Sequence, residues 1–321
     1  TTDTGNTITV ETSGGAKAEL TIEDLNVSSV NTSAIDVKGS SEAEITLKGD
    51  NKLETDDASV IHVSEGHVTI TGDGTLYADN SIYSEHAKIG SNVSEDMSGS
   101  IHITGNAQVT TGDDRHDDGL GDGAAIGSGW KGKMSGDIVI DENANVTVSS
   151  SESGAGIGSG DNGEMSGNIT ITDSAEVVST SGYDGAGIGS GEEGKMSGNI
   201  TIDGNAKVTA WSEKQGAGIG AGEEGGVSGA IRIGGNASVK AGSACDGAGI
   251  GGGGDEDGDI LESGKIIIYG NAEVIAIGED EGCGIGGGED AKMKGMILIR
   301  DNANVTAIGG DCAAAIGTDA A

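Results

Sequence analysis

The chain has 321 residues, among them 62 Gly, no Pro and no Phe, and a formal net charge of −36. That charge excludes nucleic-acid backbones, which need clustered Lys and Arg, and disfavours anionic membrane surfaces. Hydrophobic residues still make up 34% of the chain and recur at regular intervals as Val, Ile and Ala, a spacing that a disordered chain lacks.

The chain opens at Thr1 with no basic-plus-apolar leader, so the expectation for a secreted protein is a leader already removed. No apolar run approaches the roughly 18 residues of a membrane span. Through residues 1–99, Ile8/Val10, Ile22, Ile45/Leu47, Val68/Ile70 and then Ile101/Ile103 restart an alternating pattern every 14 to 33 residues. Short, irregular coils are predicted there. All five histidines (His62, His67, His86, His102, His116) fall in the first 116 residues, and alternation turns His62 and His102 outward. No pair has metal-ligand spacing and no Ser sits in a nucleophile elbow. Adjacent acids such as Asp56 and Asp57 are expected by chance among 53 Asp and Glu. No enzyme is predicted.

From residue 100 onward a repeat takes over. The isoleucines of Gly-Ile-Gly, or its Ala variant, are Ile126, Ile157, Ile188, Ile219, Ile250, Ile285 and Ile316, spaced 31, 31, 31, 31, 35 and 31. A second marker is Ile101, Ile138, Ile169, Ile200, Ile231, Ile266 and Ile297, spaced 37, 31, 31, 31, 35 and 31. Within one repeat, Ile200 and Ile202 alternate with Thr201. Ala206, Val208 and Ala210 alternate with Lys207 and Thr209, and Ala217 and Ile219 alternate with glycines. This is the period-two pattern of half-buried strands, broken by turn residues. Gly at this density rules against helices. Three short strands per repeat are satisfied by one arrangement, in which each repeat is a coil and equivalent strands of successive coils pair in parallel. The predicted fold is all-β: a single-stranded parallel β-helix (β-solenoid) of ten or eleven coils, one continuous unit over 1–321, rising about 4.8 Å per coil. The alternate glycines suit a corner with positive φ or close approach between coils.

Two inserts break the rhythm. One carries Asp113, Asp114, Asp117, Asp118 and Asp122, the other Asp255, Glu256, Asp257 and Asp259. Such carboxylates suit Ca²⁺, which takes six to eight oxygens; the alternative is a solvated acidic loop. Cys245, Cys283 and Cys312 sit in the last three coils, five, two and four residues before the marker Ile, near one another but out of register. Their odd number points to a link between chains or to small buried thiols. Asn-x-Ser/Thr at Asn26, Asn31, Asn92, Asn145, Asn168, Asn199, Asn236 and Asn304 suits glycans outside the cell.

In the last coils the outward positions turn apolar: Ile267, Leu298, Ile275, Ile277 and Ile308, with Tyr269 beside them. An exposed patch of this kind is expected to be a contact surface for lateral assembly. The coil pattern begins at Asn6 and runs to Gly317 with no capping helix, so uncapped ends and head-to-tail stacking of copies are expected.

Residues 100–321, with Gly-Ala-Gly-Ile-Gly-Ser-Gly and Asn-Ile-Thr-Ile-x-x-Asn-Ala-x-Val-Thr-Ala, resemble the β-helix repeats of large secreted surface proteins of anaerobic bacteria and archaea. Some proteins of that kind are adhesins or bind acidic polysaccharides. In acidity, late cysteines and self-stacking character the chain is also similar to the sheath or surface-layer proteins of filamentous methanogenic archaea. That resemblance implies an extracellular structural protein of the cell envelope whose partner is itself. The alternative is an adhesin or carbohydrate-binding stalk that meets cell-surface glycans.

Overall fold

The computed structural model describes residues 7–81, 84–112, 121–255, 264–292 and 294–318. Its strands form three parallel sheets, one of eleven strands and two of ten. In the first coil the three strands are Ile8–Val10, Lys17–Glu23 and Asn26–Ser29, which open the first, second and third sheets. Each strand pairs with its equivalents one coil away, so the architecture is an all-β parallel solenoid. Among the described residues no helix is long and apolar enough to cross a membrane.

The predicted register is the observed one. Ile126, Ile157, Ile188, Ile219, Ile250, Ile285 and Ile316 stand partner to partner in one file. Ile101, Ile138, Ile169, Ile200, Ile231, Ile266 and Ile297 form a second. Stacking like on like fills a thin interior without aromatics. Each buried Ile contributes about 1.5–3 kcal/mol.

The early coils need a correction. Ile8 and Val10 belong to the first sheet, where they pair with Ile35 and Val37, and not to the second sheet, which holds Ile22, Ile45 and Val68. The first-sheet file runs Ile8, Ile35, Ile61, Ile89, Ile126, spaced 27, 26, 28 and 37. Its outward neighbours are Thr9, Asp36 and His62 before they become Gly90 and Gly127. The file is continuous, but its glycine signature begins only at the fourth coil.

The glycine after the marker Ile is needed for two reasons. Gly189 and Gly220 have φ of 144° and 146°, and a Cβ on either would collide with the carbonyl oxygen of the glycine one coil further on. Beyond this corner lies a buried file of Met97, Met134, Met165, Met196 and Val227, bridged in parallel.

Polar groups at the turns are satisfied by ladders of like residues. Ser128, Ser159 and Ser190 each donate to a carbonyl four residues on and accept from a glycine N–H of the next coil. An exposed asparagine ladder joins Asn205, Asn236, Asn271 and Asn302 at 3.0–3.2 Å.

Candidate functional site

Of the acids predicted to bind metal, Asp113, Asp114, Asp117, Asp118, Glu256, Asp257 and Asp259 lie outside the described residues. Asp122 and Asp255 lie within them and occupy different places. Asp255 is exposed at a turn with φ of 73°. Asp122 is half-buried, and its carbonyl accepts the Asp161 N–H at 2.8 Å.

That hydrogen bond belongs to a longer arrangement. The turn after the glycine corner lies against the turn before it one coil back: Asp161 on Asp122, Glu223 on Asp184, and Glu289 on Asp246, each through one backbone bond of 2.7–2.8 Å. The result is a stripe of carboxylates parallel to the solenoid axis. Burial, then the charges of Glu192, Glu85 and Glu152, pushes Asp122 up to about 6. Burial, then Asp122 and Glu192, pushes Asp161 up to about 7, although Asn162 and Trp130 donate hydrogen bonds to its carboxylate. Asp184 and Glu223 are raised together, by burial first and by neighbouring carboxylates second. Asp184, Glu192 and Glu223 bring one oxygen each to within 4.8 Å of one another. Those three oxygens could supply part of the shell of a hard cation. The signal for this stripe was Gly-Asp-Asn, Gly-Glu-Glu and Gly-Glu-Glu at 160–162, 191–193 and 222–224, a spacing of 31 residues.

His116 lies outside the described residues, and the described histidines are engaged structurally. His62 projects outward, as alternation predicts, and its two ring nitrogens each lie 2.8 Å from a carboxylate, Nδ1 from Asp36 and Nε2 from Glu95. It therefore ties three coils. His102 lies 2.9 Å from Asp141, and His86 accepts the Val93 N–H on Nδ1.

The predicted assembly surface divides. Ile275, Leu298 and Ile308 are exposed, at 44%, 37% and 48%. Ile267 and Ile277 are half-buried. Tyr269 does not stand out from the surface: its ring lies across Gly234, where a Cβ would strike it, and its hydroxyl donates to Asp203 at 2.5 Å. Trp211 lies in the same way across Gly242, beside a groove of about 460 Å³ on the outer face of the third sheet.

Cys245 is half-buried, Cys283 buried and Cys312 exposed, and all three are thiols. Burial, with Asp246 and Asp280 next, pushes the Cys245 thiol up. The three stand out of register with one another, as their offsets from the marker Ile imply. No family model matches the chain, and neither a curated protein nor a solved structure matches it.

Proposed function

We propose that this chain is a structural rod of an extracellular cell envelope, a sheath or surface layer, in which copies stack coil upon coil. One observation carries the reading. Coils inside the chain pair in parallel with coils of the same three-strand form on both sides, as Ile157, Ile188 and Ile219 do in the first sheet, Ile169, Ile200 and Ile231 in the second, and Val177, Val208 and Val239 in the third. The surface complementary to one such coil is therefore another coil of the same kind. Each interface between copies would bury apolar side chains and complete three ladders at once, and successive additions by the same operation give an open filament. Exposed Ile275, Leu298 and Ile308 supply apolar surface for lateral contacts between filaments. Exposed Cys312 would cross-link neighbouring copies in an oxidising environment.

Electron microscopy of the protein taken from its native source tests the reading. The expected result is filaments, with lateral bundles that separate when Leu298 and Ile308 are replaced by Lys. Discrete particles would overturn it, as would a native chain heavier than 31.5 kDa whose additional residues form the next coil.

A further inference from the structure

We infer that the groove on the outer face of the third sheet binds a linear, uncharged polysaccharide strand lying along the solenoid axis, with one sugar ring stacked on Trp211. This inference does not depend on how copies stack.

The groove crosses five coils, from the strand of Glu176 to that of Asn304. Its outward side chains form two files, Glu176–Lys207–Ser238–Glu273–Asn304 and Val178–Thr209–Lys240–Ile275–Thr306. Two acids face two lysines, so the groove sums to zero charge on a molecule of net charge −36. Lys207 is already taken by Glu176, at 2.7 Å. An anionic polymer would be repelled by the field of the whole molecule, and a cationic one would be drawn to the carboxylate stripe. An uncharged polymer suffers neither effect.

The remaining chemistry is that of a hydroxyl-rich ligand. Thr209, Ser238, Asn304 and Thr306 offer hydroxyls and an amide, and Val178 and Ile275 add exposed apolar surface at 43% and 44%. Trp211 belongs to the adjoining file, and the absence of a side chain at Gly242 lets its indole lie along the sheet. An aromatic ring held parallel to a surface presents a flat apolar face, and the C–H face of a pyranose is its natural partner. Lys240 Nζ lies 5.6 Å from the ring centroid on an exposed, movable chain that can turn toward a sugar hydroxyl. Spacing fits as well: a pyranose in an extended chain advances by about the coil rise of roughly 4.8 Å, so successive rings meet equivalent residues of successive coils.

The probes are cellohexaose, mannohexaose and xylohexaose, each titrated into the whole chain by calorimetry and by indole fluorescence. At least one is expected to bind with little dependence on salt. Trp211→Ala should weaken it roughly tenfold, as loss of a stacked anchor does. Ser238→Tyr, an exposed change that fills the groove without touching the core, should abolish binding while leaving the thermal melt in place. Failure of all three sugars to bind would overturn the inference, and so would binding that survives Ser238→Tyr. Salt-sensitive binding of anionic oligosaccharides alone would overturn it too, as would a lateral dimer in sedimentation that Ser238→Tyr dissociates.

Discussion

The Gly191 N–H donates to Ser159 Oγ at 3.2 Å, one coil to the next, while that hydroxyl donates to the Gly163 carbonyl at 2.9 Å within its own coil. Both bonds are buried. Ser159→Ala would strand a buried N–H and a buried C=O together, a loss of about 2–4 kcal/mol. Urea unfolding combined with hydrogen exchange at Gly191 measures it. Exchange at Gly191 should rise first, because solenoid coils are held mainly by their neighbours. A variant as stable and as protected as the parent would contradict the ladder. Ala221 follows Ser190 in this file and ends it. Ala221→Ser should extend the ladder by one coil.

The carboxylate stripe makes stability fall as pH rises. Asp122 and Asp161 titrate at about 6 and about 7 in the folded chain, above their unfolded values, so the folded state holds more protons across that interval. Stability from these groups is complete below the unfolded pKa and is lost as pH climbs through 6 and 7. Thermal melts from pH 4.5 to 8.5 should therefore show a falling midpoint. Glu223→Gln removes one member of the Asp184–Glu223 pair, and it should raise the midpoint at pH 8.5 with little change at pH 4.5. The opposite order would show that the stripe is held by something other than shared protons.

Nearly all of the regular fold was legible in the sequence because register in a solenoid is visible as spacing. Ile157 over Ile188 follows from a 31-residue interval once the period-two pattern is seen. The first three coils were harder because Thr9, Asp36 and His62 stand where later coils have glycine. The carboxylate stripe joins turns from different coils, Glu223 to Asp184 for example, and turns carry no alternation to reveal which face meets which. Tyr269 was visible as an outward residue and Trp211 drew no reading at all; that both lie flat depends on Gly234 and Gly242 in neighbouring coils. That relationship needs the register first and the side chain second.

Among the described residues, the turns after the glycine corners from Gly90 to Gly286 contain one left-handed residue each, and at Glu193 and Glu224, with φ of 52° and 53°, it is neither Gly nor Asn. Asn162 occupies the same place one coil before Glu193. A left-handed glutamate costs about 1 kcal/mol relative to glycine, and these two also crowd like charges beside Glu192 and Glu223. Glu193→Gly and Glu224→Gly should each stabilise the protein by about 1 kcal/mol, read as a higher denaturant midpoint with unchanged slope. A loss of stability would mean that these side chains make contacts outweighing the backbone strain.

His62 ties the second, third and fourth coils through Asp36 and Glu95. Burial opposes its charge, but the hydrogen bonds that its ring N–H groups donate to Glu95 and Asp36 outweigh burial and raise the imidazole above its usual value. The hydrogen bond accepted from His62 in turn holds Glu95 below the usual carboxylate range, against the effect of its burial. The imidazolium contributes stability that is complete below the unfolded histidine value and disappears as pH rises through the folded one. The Glu95 contribution is present above its unfolded value and disappears in stronger acid. Both are in force between roughly pH 5 and 6.5. His62→Gln should cost about 1–2 kcal/mol in that window, since hydrogen bonds to charged groups are being lost, and much less at pH 9. Hydrogen exchange at Ile35, Ile61 and Ile89, whose backbones form the ladder beneath this bridge, localises the effect. Equal loss at pH 5.5 and pH 9 would assign His62 a packing role in place of an ionic one.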